Sequence, residues 1–337
     1  KGGKYSRPFI TLAVYDALTG GKGTEANGAE HIAGYSDSVR RAAMSIETFH
    51  KASLVHDDIE DDDAFRYGED TVHKRFGIPT AINVGDYLIG MGYRLVSRES
   101  KTLGADAVAD ILDTLADAHL RLSEGQGAEL LWRDESDKRL KPIDALKIYA
   151  LKTSPAFEAA LFTGIRLAGS SAEYQKPIRE FARNVGVAFQ ILNDLKDWEG
   201  DDNNKLAAGG DILGGRPTVL WALALDGLSP AGQEELLSLV AGAPIEGTLR
   251  VPSSGSGTRS VPTAYCVNRV RELYQQAGVF EKAHRLIEKH QERAEAIADE
   301  IQPDELRRLL YYLIDSVLDG PKPAPAPQIV PLQIASA

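Results

Sequence analysis

The chain has 337 residues, of which 43% are hydrophobic and 26% are charged, a balance typical of globular rather than disordered proteins. With 38 Lys and Arg against 49 Asp and Glu, its net charge of −11 argues against a nucleic-acid-binding surface. The single cysteine, Cys266, excludes an intramolecular disulfide and favours a reducing, cytoplasmic location. We expect neither a transmembrane segment nor a signal peptide, because no apolar run is long enough.

Apolar and small residues recur at three- and four-residue steps along most of the chain, which predicts helices. The first long helix is predicted from Ser38 to Asp61. Further helices are predicted over residues 105–127, 143–168, 177–198, 218–225, 234–240, 267–297 and 304–318. No stretch shows a convincing two-residue alternation, so we predict an all-α domain of about ten helices over residues 1–319.

Two stretches have the composition of irregular chain. Residues 240–262 contain a Gly-Ala-Pro sequence and a Ser- and Gly-rich run, which predicts a flexible insertion between helices. Residues 320–337 contain five prolines and predict a disordered tail.

The sequence HDDIEDDD at 56–63 places two carboxylates on one helix face. Asp57 and Asp61 are four residues apart, about one turn, and two negative charges so close repel unless a cation lies between them. Mg²⁺ takes one or two carboxylates from protein and completes its shell with water and phosphate oxygens. The spacing favours a magnesium site that carries a diphosphate, although a solvated acidic helix end has the same pattern.

A second polar stripe lies near the end of the helix predicted over 177–198. Its members share one face at three- and four-residue spacing: Gln190, Asn193, Asp194 and Asp197. Two such helices facing each other across a cavity could hold several metal ions and one polyanion.

These segments, with several others in the same order, resemble the trans-isoprenyl diphosphate synthases of the polyprenyl synthetase family. The DDxxD motif of the family matches Asp57–Asp61, and its second motif, DDxxD or NDxxD, matches Asn193–Asp197. The other matching blocks are GGKYSRP at 2–8 for GGKxxRP, Arg66-Tyr67-Gly68 for the RRG triplet, Lys152-Thr153 for the Lys-Thr pair, and the segment from Gly210 to Thr218.

The resemblance implies an isoprenoid-synthase-type helical bundle around a central cavity, and a homodimer. It also implies an Mg²⁺-dependent prenyltransferase. The enzyme would condense an allylic diphosphate with isopentenyl diphosphate to a trans-polyprenyl diphosphate of geranylgeranyl length or longer.

The resemblance also implies a role for each matching residue. About three Mg²⁺ ions would be held by Asp57, Asp58, Asp61, Asn193, Asp194 and Asp197. The allylic diphosphate would contact Arg66, Lys152, Lys205 and Arg216, and isopentenyl diphosphate would contact Lys4, Arg7 and His50. Thr153 and Gln190 would present their dipoles to the allylic cation.

Small residues before the first motif predict the product length. Ala52 and Ser53 lie about one turn before Asp57, where bulky aromatics shorten the product in this family. We therefore expect an open tunnel with Phe49 as a candidate floor, although plain core packing explains the same residues equally well.

One departure from the family pattern leaves alternatives open. Tyr67 stands where the family has a second arginine that helps bind isopentenyl diphosphate. The runner-up is therefore a synthase-like terpene cyclase, or a prenyltransferase that uses another acceptor. A metal-dependent phosphohydrolase built on His56-Asp57 and a non-catalytic partner subunit are the remaining alternatives.

Overall fold

The structure, a computed structural model, describes residues 6–169, 172–199, 215–240, 244–245, 248–252 and 258–318. The predicted all-α class is confirmed, with a 3₁₀ turn at Lys22–Thr24 and these helices: α1 Ser6–Leu18, α2 Gly28–Ala33, α3 Asp37–Glu60, α4 Val72–Phe76, α5 Ile78–Ser97, α6 Ser100–Leu103, α7 Ala105–Asp134, α8 Pro142–Lys152, α9 Ser154–Ala168, α10 Gln175–Glu199, α11 Val219–Gly227, α12 Pro230–Val240, α13 Thr263–Gln276, α14 Val279–Asp299 and α15 Asp304–Leu318. Within these ranges, no helix has the length and apolarity that a membrane span requires.

Short antiparallel strands occur in two places. Strands β1 (Phe65–Arg66) and β2 (Glu69–Asp70) form a hairpin after α3. Strands β3 (Pro244–Ile245), β4 (Thr248–Pro252) and β5 (Thr258–Pro262) form a sheet in the order β3-β4-β5. The insertion predicted over 240–262 thus contains three short strands in the segments that the structure describes, which its Ser- and Gly-rich composition did not predict. Its flexibility stays a prediction. The tail predicted over 320–337 lies outside the described residues.

Two of the predicted helices are each broken into a pair. The helix expected over 143–168 breaks at Thr153, because Pro155 at the start of α9 has no N–H to continue the ladder. The helix expected over 267–297 breaks at Gly278, whose φ of +63° is left-handed. Helical periodicity continues across both breaks, so the pattern alone does not reveal them.

Helix α9 is the central helix of the bundle. Its residues from Ser154 to Ile165 are mostly buried on every side, as expected for a helix surrounded by others. Helices α1, α7 and α10 pack around it. The Thr11 hydroxyl of α1 donates a buried hydrogen bond of 3.0 Å to the Ala160 carbonyl, which fixes α1 against α9.

Helix α3 begins with a side-chain hydrogen bond that caps it and ends in a run of negatively charged residues. The Ser36 hydroxyl accepts a hydrogen bond from the Val39 N–H, 3.3 Å, and the apolar face of α3 packs along α5. The last turn carries Asp57, Asp58 and Glu60 and no basic residue. The carbonyl end of a helix is the negative end of its dipole, so carboxylates there are destabilising unless cations compensate them.

Helix α7 extends seven residues beyond the predicted end at 127, and it approaches α8 closely. A methyl group on Gly125 would lie 2.8 Å from both Leu151 Cβ and the Lys152 nitrogen. Because Gly125 has no side chain, the end of α8 can lie directly on α7.

We predict that Gly125→Ala lowers the free energy of unfolding by about 1–3 kcal/mol, because the added methyl separates α7 from α8. Gly127→Ala is the matched control on the same helix, since no heavy atom lies within 4 Å of its added methyl. It should be neutral or stabilising by up to about 1 kcal/mol. Urea denaturation of both variants measures the difference, and equal effects would contradict the close approach.

Candidate active site

The last turn of α8 connects the two acidic helices. Its Tyr149 hydroxyl donates to the Asp194 carboxylate on α10, and the positive charge of Lys152 acts on Asp57 on α3. The next residue, Thr153, donates from Oγ1 to Oε1 of Gln190 on α10, 3.3 Å. Two of these residues therefore contact the second polar stripe, and the third lies close enough to the first for its charge to act there.

Asp57 is a largely buried carboxylate with an unusual affinity for protons. Its pKa is raised from 3.8 to about 6, chiefly by burial and also by the negative charges of Glu60 and Asp61, whereas the positive charge of Lys152 opposes the rise. The Lys152 ammonium itself lies 2.5 Å from the Glu129 carboxylate. Asp57 is thus a negative charge that its surroundings only partly compensate, which is the electrostatic condition for binding a cation.

Arginines hold the other two carboxylates of the first motif. Asp61 accepts from Nη1 of Arg133 at 2.7 Å and from Nη2 of Arg216 at 3.2 Å. Asp58 is buried and accepts from Nε of Arg66 at 2.7 Å. Arg66 also reaches Asp63, 3.1 Å. Both of the predicted diphosphate-binding arginines in the described residues therefore lie against the first motif.

The residues of the second motif differ in how deeply they are buried. Asp194 is only 2% exposed and is held by Tyr149, whose hydroxyl also accepts the Val219 N–H at 2.7 Å. Asn193 and Asp197 are half-buried on the same helix. The structure thus places Asp194 inside the bundle, next to Tyr149, and its assignment as a metal ligand stays a prediction.

Two further predicted residues, Arg7 and His50, lie beside this site, and His50 is on the face of α3 that carries Asp57 two turns later. Arg7 on α1 and His50 on α3 are near each other, since the positive charge of Arg7 acts on His50. The pKa of His50 is lowered to about 3, chiefly by burial and also by the positive charges of Arg7, Lys51 and Arg66, so the ring is neutral at pH 7. Lys4 and Lys205 lie outside the described residues.

A polar stripe on α7 completes the site, and the sequence reasoning did not find it. Gln126 donates to the Glu60 carboxylate at 2.6 Å, Glu129 binds Lys152, and Arg133 binds Asp61. These three lie at i, i+3 and i+7, the same spacing that revealed both acidic stripes. They were missed because the predicted helix stopped at residue 127, before two of them.

The donors present suit a hard divalent cation. Among the described residues, no three His, Cys, Asp or Glu side chains cluster closely enough to hold a metal ion by themselves. Carboxylate and amide oxygens gather instead near the carbonyl ends of α3 and α10, where negative charge is least stable without a cation. Such donors fit Mg²⁺, which takes few protein ligands and completes its shell with phosphate and water.

Comparisons with known proteins agree with this arrangement. The polyprenyl synthetase family profile matches residues 1–247. A short chain isoprenyl diphosphate synthase of Methanothermobacter thermautotrophicus is 27% identical over 94% of this chain and 86% of its own. The geranylfarnesyl diphosphate synthase of Aeropyrum pernix is 32% identical over 71% and 70%, respectively. The fold matches geranylgeranyl pyrophosphate synthase from Corynebacterium glutamicum, solved with isoprenyl diphosphate and magnesium, with a TM-score of 0.75 at 24% identity over 94% of this chain and 87% of that one.

We predict that Asp57→Asn changes how stability depends on pH. As the pH falls from 8 to 5, folded wild-type protein takes up a proton at Asp57 that the unfolded chain, with its ordinary pKa of 3.8, takes up far less. The free energy of unfolding of wild type should therefore rise by roughly 1 kcal/mol relative to that of the variant. Urea denaturation at both pH values in chelator-treated buffer measures this gain. The control is Asp113→Asn, because Asp113 is an exposed carboxylate on α7. Wild type should gain no such stability relative to this control variant.

Proposed function

The chain belongs to the polyprenyl synthetase family of trans-isoprenyl diphosphate synthases, and we propose that its site joins an allylic diphosphate to isopentenyl diphosphate. The observation that carries this proposal is the position of the end of α8, where Tyr149 and Thr153 contact α10 and the charge of Lys152 acts on Asp57 of α3. A diphosphate bound there would meet carboxylates from two helices and the Lys152 ammonium between them.

We assign the metal sites to the two acidic stripes. About three Mg²⁺ ions would be held by Asp57, Asp58, Asp61, Asn193, Asp194 and Asp197, of which Asp58 and Asp194 are the two that Arg66 and Tyr149 already hold. When bound, magnesium neutralises the charge that develops on the departing diphosphate.

The basic residues of the site bind and orient the allylic diphosphate. Arg66, Arg216 and Lys152 each hold a carboxylate at hydrogen-bond distance, so their side chains are positioned beside the metal ligands before substrate arrives. Lys205 is proposed on the resemblance alone. Guanidinium and ammonium groups complement phosphate oxygens, and such preorganised charge lowers the barrier to ionisation.

Dipoles on α8 and α10 would face the allylic cation. The hydrogen bond from Thr153 to Gln190 leaves the threonine oxygen and the rest of the amide available to a neighbouring positive charge. The double bond of isopentenyl diphosphate then attacks this cation, and a proton is lost to the released diphosphate. Arg7, His50 and Lys4 are proposed to hold isopentenyl diphosphate.

The product chain is proposed to grow along α3. Val39 and Ile46 are buried, yet Ser53, two turns further along the same face, is exposed, which supports an opening in the bundle there. One turn before Ser53, the Phe49 ring packs on Tyr93 and His119 at centroid distances of 4.7 and 5.8 Å. These rings would form the floor of a tunnel suited to geranylgeranyl or longer products. Ala52, 1% exposed, belongs to the packed side of the helix.

A homodimer and a cytoplasmic location are also proposed. Two leucines support a second copy at α7: Leu120 is 66% exposed and Leu131 is 72% exposed, three turns apart on its outward face. The single cysteine, buried Cys266, suits a reducing compartment.

We predict that the protein, incubated with allylic diphosphates of several lengths, isopentenyl diphosphate and Mg²⁺, forms longer prenyl diphosphates. Asp57→Asn should lower kcat by about 10²–10³-fold, because it removes charge stabilisation at the leaving group. Asp113→Asn is the control and should leave kcat unchanged. Product analysis by mass spectrometry measures elongation, and diphosphate release that does not depend on isopentenyl diphosphate would instead favour a cyclase or another acceptor.

We predict that Ser53→Phe shortens the product by at least one isoprene unit, because the ring would fill the opening above Phe49. Ser53→Ala, which keeps the opening, should leave the product distribution unchanged. Chain length is measured by chromatography of the dephosphorylated products. An unaltered distribution in both variants would place the growing chain elsewhere.

A further inference from the structure

A group of charges lies on α3 one to two turns before the metal-ligand stripe and continues the same helix face. It comprises Glu47, His50 and Lys51 of α3, together with Arg7 of α1 and Tyr67 of the β1–β2 hairpin. Glu47 is buried, and its carboxylate lies 3.5 Å from the Lys51 ammonium. Burial lowers the pKa of Arg7, and the opposing influences come from Glu47 and Tyr67, which places those two groups near the guanidinium.

Tyr67 is held in a costly backbone conformation. It and Gly68 form the tight turn of the β1–β2 hairpin with φ values of +54° and +77°. The left-handed region costs a non-glycine residue roughly 1 kcal/mol, so surrounding contacts must hold Tyr67 there. The Lys51 ammonium is one such contact, because it lies 5.5 Å from the centre of the Tyr67 ring.

The position of Lys51 matters because of what Tyr67 replaces. The family pattern has an arginine at position 67 that helps bind isopentenyl diphosphate, and a phenol cannot supply that charge. Lys51 of α3 instead places a positive charge beside the ring of Tyr67. Its side chain is 31% exposed, so a ligand can reach the ammonium from solvent while Glu47 holds it on the helix.

We propose that Lys51 binds the diphosphate of isopentenyl diphosphate and thereby replaces the arginine that is missing at position 67. The proposal rests on the proposed function of the site. Arg7 and Lys51 provide two positive charges and His50 is a neutral donor. Glu47 holds the Lys51 ammonium and its negative charge acts on Arg7. A diphosphate suits this group because it carries more negative charge than Glu47 alone can offer.

The alternative is that Lys51 is a surface lysine in an ordinary i,i+4 pair with Glu47, worth a few tenths of a kcal/mol. That alternative predicts a small change in stability and no change in substrate affinity. It also predicts that Tyr67→Arg changes substrate affinity equally whether residue 51 is Lys or Met.

The test measures binding of isopentenyl diphosphate by titration calorimetry without allylic substrate, together with KM for both substrates. Lys51→Met should raise Kd and KM for isopentenyl diphosphate at least tenfold and leave KM for the allylic diphosphate within twofold. Adding Tyr67→Arg to Lys51→Met should restore both values to within about threefold of wild type. Lys147→Met, an exposed lysine on α8, is the matched control and should change neither value.

The outcomes separate this inference from the proposed function. Wild type that elongates allylic diphosphates while Lys51→Met binds isopentenyl diphosphate normally would overturn the role of Lys51 alone. If Lys51→Met weakens binding of isopentenyl diphosphate and Tyr67→Arg does not restore it, then Lys51 does not replace the missing arginine. Wild type that neither binds nor consumes isopentenyl diphosphate would instead overturn the proposed function. Thermal unfolding of each variant confirms that the compared proteins are folded.

Discussion

Negative charge at the negative ends of two helices is the constraint on which the rest of this structure depends. Asp57, Asp58 and Asp61 lie at the carbonyl end of α3, and Asp197 lies in the last turn of α10. Both placements oppose the helix dipole, so stability alone would not favour them. Residues that violate a local rule in this way are expected where a protein binds a ligand, and negative charge in these positions favours a cation.

The protein compensates part of this charge with its own cations. Arg66 comes from the hairpin after α3, Arg133 from α7, Arg216 from the segment before α11, and Lys152 from the end of α8. Each is held by a carboxylate at hydrogen-bond distance, which positions it beside the place where a diphosphate would bind. Asp57 remains incompletely compensated, as its raised pKa shows, and this makes it the strongest candidate for a metal ligand.

A single helix break makes this arrangement possible. Because α8 ends at Lys152 and α9 starts at Ser154, the last turn of α8 contacts both α7 and α10 and places the charge of Lys152 where it acts on Asp57 of α3. Gly125 lets this turn lie against α7.

The amino-acid sequence by itself determined the all-α class, the two acidic stripes and most of the candidate residues, because helical spacing and motif order are local properties. It could not reveal the break at Thr153, since apolar periodicity runs through it, nor the role of Glu129 and Arg133, which lie beyond the predicted end of α7. Only the tertiary structure decided which carboxylates are held by cations and brought Lys51 to the ring of Tyr67. Such pairings join residues far apart in sequence, and their energies depend on burial and distance, which no spacing rule contains.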